Sequence, residues 1–203
     1  MQPIEVFADI SCPFTHVGLR RVIEERDRRG ITGVVLRVRS WPLEVVNGAP
    51  LDGDAVAEKV DALRRQVATD LFAGFDPSTF PRTTLPALAL AAAADRTDPT
   101  TGQGVALALR DLVFEQGVDV SDRGVLERLA EEHGVTVDLD DTSAVTADHA
   151  EGVRRGVVGS PHFFTPAGDF FCPVLDIGRD DTGRLLVRVD EQGFEAFVAA
   201  CFV

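Results

Sequence analysis

The sequence lacks a long hydrophobic run. Its longest apolar stretch, LPALALAAAA, has about half the length that crosses a bilayer and indicates a buried helix. The N-terminus, MQPIEVFADI, also lacks a basic segment followed by an apolar one, so the sequence shows no secretory signal. We therefore expect a cytoplasmic protein with no membrane partner.

Cysteine is also scarce. The three cysteines, Cys12, Cys172 and Cys201, are odd in number and widely spaced, which excludes a disulfide framework and zinc-ligand spacing. Thiols are kept reduced in the cytoplasm, where structural disulfides are rare. We expect no metal site and no tightly bound cofactor.

Basic side chains are outnumbered by acidic ones. The chain has 20 Lys and Arg residues and 33 Asp and Glu residues, which gives a formal net charge of −13. A strongly acidic chain binds phosphate backbones poorly and is repelled by anionic membrane surfaces. Nucleic acid is therefore excluded as a partner, and the charge otherwise favours solubility.

The first 43 residues predict a strand, a helix and a second strand. The alternating segment PIEVFADI (3–10) is typical of a strand. Cys12 then stands at the N-cap and Pro13 at the first position of a helix that runs to about Arg29. The second strand is predicted over 33–43. A connection of this length favours a parallel pair with a right-handed crossover.

Helical patterns dominate the middle of the chain. Four helices are predicted there by amphipathic spacing and by capping residues, over 52–75, 83–96, 101–117 and 121–134. The first is opened by Asp52 or Asp54, and the fourth by Ser121 or Asp122. A chain of 203 residues is long enough for one domain that carries such an insertion.

The remainder predicts a helix over 146–159, two short strands around a turn at Ala167–Gly168, and a final helix over 191–203. The last helix should pack on the sheet. Without the insertion the order is β-α-β, helix, β-hairpin and helix, which is the thioredoxin plan. The fold class expected is therefore α/β, a thioredoxin-like fold of residues 1–50 and 146–203 with an all-helical subdomain of residues 51–145.

Cys12 is the strongest nucleophile candidate in the sequence. It opens a helix directly after a strand, where unpaired N–H groups and the helix dipole favour an anion. The thiolate is the reactive form of cysteine, and such positions promote it. Cys172 and Cys201 are instead expected to be small buried apolar residues.

Two motifs resemble the DsbA family. In DISCPFTHVG the family pattern Asp-x-x-Cys-Pro-aromatic-Cys-x-x-Gly is matched at Asp9, Cys12, Pro13, Phe14 and Gly18. The segment GVVGSPHFF resembles the family's Gly-Val-x-Gly-x-Pro, which implies a cis-proline at Pro161 facing the cysteine. The inserted helices are similar to those of the FrnE-like oxidoreductases and the 2-hydroxychromene-2-carboxylate isomerases.

The sequence departs from this pattern at Thr15, which stands where the family has its second cysteine. Threonine cannot release a mixed disulfide, although its hydroxyl could donate a hydrogen bond to the Cys12 thiolate. The resemblance therefore implies a monothiol cycle with Cys12, Thr15 and Pro161 as the catalytic set. A low-molecular-weight thiol such as glutathione would complete the exchange as co-substrate.

Cys172 is not expected to resolve the mixed disulfide. A turn at Ala167–Gly168 places it opposite Phe163, two strands away from Cys12. Two inter-strand steps make about 10 Å, beyond the Cα separation of about 4.4–6.8 Å that a disulfide spans. We predict no Cys12–Cys172 bond in the resting protein.

The remaining candidates are substrate-binding residues that flank the two motifs. A cis Ser160–Pro161 bond would leave the Ser160 backbone free to pair with an extended substrate, and a histidine beside the cysteine could stabilise a thiolate or move a proton. Phe14 could line an apolar groove. The full set is Pro13, Phe14, His16, Ser160 and His162.

Three functions stay open. The first is a thiol–disulfide oxidoreductase acting on a disulfide-containing protein or small molecule. The second is a thiol-dependent isomerase or transferase of the hydroxychromene-carboxylate isomerase or kappa glutathione transferase type; those relatives usually place serine where Cys12 stands. The third is a redox-inactive module that binds a ligand or peptide. Retention of Cys12 favours the first, and a homodimer is left open as the oligomeric state.

Overall fold

The chain begins with the predicted strand, helix and strand. The computed structural model describes residues 4–202, so the parts of the sequence predictions that fall on 1–3 and 203 lie outside it. Strand β1 spans Ile4–Ala8, helix α1 spans Pro13–Arg28 and strand β2 spans Leu36–Ser40. The two strands are parallel, with Val6 opposite Val38, as the sequence predicts. The second strand is shorter than expected at both ends: Gly33 adopts φ +82° before it, and Pro42 is the N-cap of a short helix after it.

A second pair of strands completes the main sheet. Strand β3 spans His162–Thr165 and strand β4 spans Gly168–Phe171. The strand order is β2-β1-β3-β4, in which β3 is antiparallel to both of its neighbours. The strand that follows Pro161 therefore lies next to the strand that precedes Cys12. This adjacency brings together residues about 150 positions apart in the chain.

The middle of the described chain is helical. The helices between β2 and β3 are α2 (Leu43–Val46), α3 (Gly53–Gln66), α4 (Leu85–Thr97), α5 (Pro99–Phe114), α6 (Arg123–Glu132) and α7 (Ser143–Arg154), with a 3₁₀ turn at Pro77–Thr79. Helix α3 begins after Asp52 and helix α6 after Asp122, because each aspartate accepts a hydrogen bond from the backbone N–H three residues on. The subdomain boundaries at 50 and 146 stay a prediction.

Helices α3 and α7 differ from the prediction. Helix α3 ends at Gln66 rather than near residue 75, because Val67 leaves the helical conformation with φ −142°. Further on, Phe72 adopts φ +69° and donates its N–H to the Glu115 carboxylate. Helix α7 begins and ends earlier than predicted. It stops before Gly156, which adopts φ +76°, and not at Gly159.

The sequence analysis missed a second hairpin. Strand β5 (Leu175–Arg179) pairs with strand β6 (Leu185–Val189) in a separate two-stranded sheet. The side-chain amide of Gln66, at the end of α3, donates to the Leu185 carbonyl (3.2 Å) and accepts from the Val187 N–H (3.0 Å). The alternation in LLVRV after a glycine-containing turn was the available signal.

The final helix covers the main sheet, as predicted. Helix α8 spans Glu191–Cys201, and its N-cap is Asp190, whose carboxylate accepts the Gly193 N–H. The Phe197 ring is fully buried and packs against Phe163 of β3 and Phe170 of β4. A mixed sheet flanked by helices confirms the α/β class.

The β3–β4 turn lies one residue earlier than predicted. It is centred on Pro166–Ala167, and Thr165 pairs with Gly168. Proline's fixed φ suits the second position of a turn, and Gly168 takes φ +147°, which glycine readily adopts. Cys172 is consequently opposite Pro161 and not Phe163, and its N–H donates to the Pro161 carbonyl (3.0 Å).

No helix within residues 4–202 is both long and apolar enough to cross a membrane.

Candidate active site

Cys12 lies at the N-terminus of α1, in the turn that leaves β1. It is the N-cap residue and Pro13 is the first helical residue, as predicted. Phe14 and Thr15 occupy positions whose N–H groups have no intrahelical acceptor. The Cys12 thiol donates to the Ser160 carbonyl (3.1 Å), and the residue is 5% exposed. The sulfur thus lies against the residue that precedes Pro161.

The Ser160–Pro161 peptide bond is cis, as expected from the second motif. The Ser160 hydroxyl accepts the Asp9 N–H (2.9 Å) and shares a hydrogen bond with the Thr15 hydroxyl (2.8 Å). The sequence allows the Thr15 hydroxyl to donate to the Cys12 thiolate, but its hydrogen-bond partner in the structure is the Ser160 hydroxyl. The reason is that β3 lies beside β1 and brings the Ser160 hydroxyl within reach of the first turn of α1.

Asp9 is a fully buried hydrogen-bond centre beneath this turn. One carboxylate oxygen accepts the N–H (2.8 Å) and the hydroxyl (2.7 Å) of Ser11. The other accepts the Leu43 N–H (2.6 Å) and the Thr84 hydroxyl (3.2 Å). Asp9 therefore ties the Cys12 turn to α2 and to the start of α4, which explains its place in the motif.

Arg110, on helix α5, is a site residue that the sequence analysis missed. It is 1% exposed, and it donates to the Asp9 carbonyl (3.1 Å) and to the Ala106 carbonyl (2.6 Å). Burial lowers the pKa of Arg110 to about 10, against the raising effect of the charges of Asp9 and Cys12. The guanidinium stays protonated at neutral pH. The available signal was an arginine on the apolar stripe of α5, four residues after Ala106.

His16 faces the inserted helices. Its ring is 1% exposed, lies between Phe72 and Phe114, and pairs through Nε2 with the Glu115 carboxylate (2.6 Å). The same carboxylate accepts the N–H groups of Phe72 (2.8 Å) and Ala73 (3.1 Å). Burial lowers the pKa of His16, against the hydrogen bond to Glu115. In this structure His16 holds the insertion against α1, and its side chain is closed to a substrate.

This pair predicts loss of stability in acid. Burial disfavours the charged carboxylate, but the bonds from His16, Phe72 and Ala73 outweigh it and lower the pKa of Glu115 from 4.5 to about 2. The resulting stabilisation is complete above pH 4.5 and is lost as pH falls toward 2. His16 adds a further loss of stability below pH 6.5. Burial lowers its pKa in the folded protein, so the unfolded chain takes up the proton at a higher pH.

Urea unfolding at a series of pH values measures this effect. Glu115→Gln should be less stable than the parent protein at neutral pH, and it should lose less free energy of unfolding between pH 5 and pH 3. Glu58→Gln, at a carboxylate side chain that is 60% exposed, is the matched control and should follow the parent. Equal acid dependence in the Glu115 and Glu58 variants would contradict the assignment.

His162 shapes the loop before Pro161. Its Nδ1 accepts the Val158 N–H (3.2 Å), Nε2 pairs with the Asp169 carboxylate (3.0 Å), and the ring stacks on Phe164. Both ring nitrogens are therefore engaged within the protein. Phe14 is half-buried and packs against the core, and Pro13 is buried. The substrate-binding roles of these residues stay predictions.

The other two thiols are buried, as expected. Cys12, Cys172 and Cys201 are all free. Burial raises the pKa of Cys172 to about 12, with a further raising effect of Cys12, and burial raises that of Cys201 to about 12 as well. Thiols of this kind are poor nucleophiles, although Cys172 lies beside Pro161. Within residues 4–202 no group of three His, Cys, Asp or Glu side chains is placed to hold a metal ion.

A helix-capping cysteine that faces the residue before a cis-proline, on a β-α-β sheet, defines a thioredoxin-like thiol site. The chain belongs to the family of DSBA-like thioredoxin domains, whose family model matches residues 3–177. The resemblance expected from the two motifs is thereby confirmed. A search of curated proteins finds no match.

Solved structures share the fold. A candidate protein disulfide isomerase from Nitrosomonas europaea aligns with a TM-score of 0.62 at 16% identity, over 97% of each chain. A 2-hydroxychromene-2-carboxylate isomerase aligns with a TM-score of 0.59 at 13% identity, over 84% of this chain and 88% of that one. At these identities the likeness shows the fold alone, a thioredoxin-like α/β fold with a helical insertion.

Proposed function

We propose that the protein is a thiol–disulfide oxidoreductase that uses Cys12 as its single nucleophile. The observation that carries the proposal is the position of the Cys12 sulfur, at a helix N-terminus and 3.1 Å from the Ser160 carbonyl. Thr15 occupies the place of a second thiol and is bound to Ser160 instead. Family membership supports thiol chemistry at this turn.

The exchange balances without a second protein thiol. The Cys12 thiolate attacks one sulfur of a substrate disulfide, forms a mixed disulfide and releases the other half as a thiolate, which takes up a proton. A small thiolate such as that of glutathione then attacks the substrate sulfur. Cys12 leaves as the thiolate, and a new disulfide joins the small thiol to the substrate. The net reaction exchanges a thiol and a disulfide, and the enzyme is unchanged.

Ionisation of Cys12 is linked to the Ser160 carbonyl in this scheme. The resting thiol donates a hydrogen bond to that oxygen. Loss of the proton removes the donor, and the carbonyl becomes free to accept an N–H from an extended substrate. The helix N-terminus then stabilises the anion. Substrate docking beside Pro161 and formation of the nucleophile therefore support one another.

Alkylation with iodoacetamide tests the proposal. In the folded protein we expect Cys12, at its helix N-terminus, to be labelled well below about pH 8, while Cys172 and Cys201 stay unlabelled because the pKa of each is raised to about 12. Peptide mass mapping locates the label. Cys172→Ala is the matched variant: exchange between glutathione and a small-molecule disulfide should continue unchanged in it.

Two outcomes would contradict the proposal. If Cys12 were labelled no faster than free cysteine, it would not be an activated nucleophile. Loss of exchange in Cys172→Ala would make Cys172 the resolving thiol and end the monothiol scheme.

Tight binding of glutathione without exchange, together with isomerase or transferase turnover, would favour the second candidate function. The absence of a second cysteine at Thr15 supports that candidate.

A further inference from the structure

We propose that Arg110 is a positioning residue for the Cys12 thiolate. In this proposal, which rests on the proposed function, the buried guanidinium offsets the charge of Asp9 and so lets the neighbouring sulfur ionise. The inserted helices would then supply part of the electrostatics of the active site and not only cover it.

The hydrogen bonds of Arg110 leave its charge without a direct ion pair. Its two terminal nitrogens donate to the carbonyls of Ala106 and Asp9, which are neutral acceptors. Its buried Nε has no partner within residues 4–202. Burial of a charge is costly unless another charge compensates it. An arginine kept at 1% exposure therefore indicates a compensating negative charge nearby.

The negative groups that face Arg110 are Asp9 and Cys12, from the β1–α1 turn, and Asp111, from its own helix. Asp111 is paired with Arg20, so its charge is already engaged. Cys172 faces Cys12 from the end of β4, and at neutral pH it carries no charge because burial raises its pKa to about 12. Asp9 and the Cys12 thiolate are thus the anions left for Arg110.

Asp9 makes this compensation necessary. Its carboxylate accepts hydrogen bonds from Ser11, Leu43 and Thr84, and it is buried three residues before Cys12. A buried carboxylate at that position opposes a second negative charge on the sulfur. Arg110 contacts the Asp9 backbone, and its positive charge reduces that opposition.

The pH profile of Cys12 alkylation tests the proposal. In Arg110→Gln the labelling rate below the midpoint should fall about tenfold, and the profile should move up by about one pH unit, the lower end of the effect of a neighbouring opposite charge. The limiting rate at high pH should be unchanged, and Arg110→Lys should restore most of the loss. A purely structural role would change stability and leave the profile in place.

Arg26→Gln is the matched control. Arg26 also donates to a backbone carbonyl, that of Val34 (3.0 Å), but from the far end of α1, about 20 Å along the helix from Cys12. Its alkylation profile should coincide with that of the parent protein.

A parental profile in a folded Arg110→Gln variant would overturn the proposal. If the glutamine variant does not fold, Arg110→Met takes its place in the test, because methionine removes both the charge and the cost of burying that charge. If neither folds, Arg110→Lys decides: a profile close to the parental one supports the proposal, and a profile shifted up overturns it. Slow labelling of Cys12 in the parent protein would instead contradict the proposed function itself.

Discussion

Replacement of Cys12 by serine is expected to abolish thiol–disulfide exchange and to leave the fold intact. The serine hydroxyl can still donate to the Ser160 carbonyl, so the turn keeps its hydrogen bond. Without a sulfur no mixed disulfide can form, and exchange should fall to the uncatalysed rate. The measurement is the rate of exchange between glutathione and a small-molecule disulfide, with the thermal unfolding midpoint as the test of folding.

Cys201→Ala is the control for this prediction, because Cys201 lies in α8 as a buried, free thiol. It should keep exchange while losing some stability. Exchange that persists in Cys12→Ser would contradict the oxidoreductase assignment. Isomerase or transferase turnover that survives the same substitution would favour the second candidate function, since serine could then take over the contacts of the thiol with a bound small thiol.

Replacement of Asp9 by alanine is expected to lower the free energy of unfolding by about 3–5 kcal/mol, the cost of leaving buried polar partners and a buried charge uncompensated. The variant leaves the Leu43 N–H and the Thr84 hydroxyl without their acceptor. It also removes the anion that faces Arg110. Urea unfolding at neutral pH measures the loss.

Asp76 offers a closely matched control. Its carboxylate accepts the N–H (2.8 Å) and hydroxyl (2.7 Å) of Ser78, which is the arrangement of Asp9 with Ser11, but the pair is exposed. Asp76→Ala should cost about 1 kcal/mol, the usual value for a local cap of this kind. Equal losses in the two variants would show that the buried partners of Asp9 contribute nothing. Combining Asp9→Ala with Arg110→Met should recover part of the loss, because the two charges are coupled.

Several parts of the fold follow from local sequence signals. The N-cap at Cys12 and the caps at Asp52 and Asp122 each depend on residues within a few positions of one another. The parallel β1–β2 pair follows from two predicted strands and from the length of the connection between them. The β5–β6 hairpin was missed although its signal, the alternation in LLVRV after a glycine-containing turn, was also local. The turn at Pro166–Ala167 moved the cross-strand partner of Cys172 by two residues, from Phe163 to Pro161, which the proline could have indicated.

The environment of the site depends on long-range contacts. Thr15 could have bound the sulfur of Cys12 or another acceptor, and its actual partner, Ser160, is 145 residues away. Arg110 reaches Asp9 across 101 residues, and Glu115 reaches His16 across 99. No periodicity or spacing predicts these pairs, because they depend on how β3 lies beside β1 and on how helix α5 packs beside α1.

The sequence by itself determined the family, the nucleophile candidate and the proline of the second motif, because these reside in two short motifs. Only the tertiary structure decided which groups surround the sulfur: the Ser160 carbonyl and hydroxyl, the buried Asp9 carboxylate and the Arg110 guanidinium. The physical reason is that burial and charge compensation depend on neighbours from distant segments, which the packing of the sheet and the inserted helices brings together.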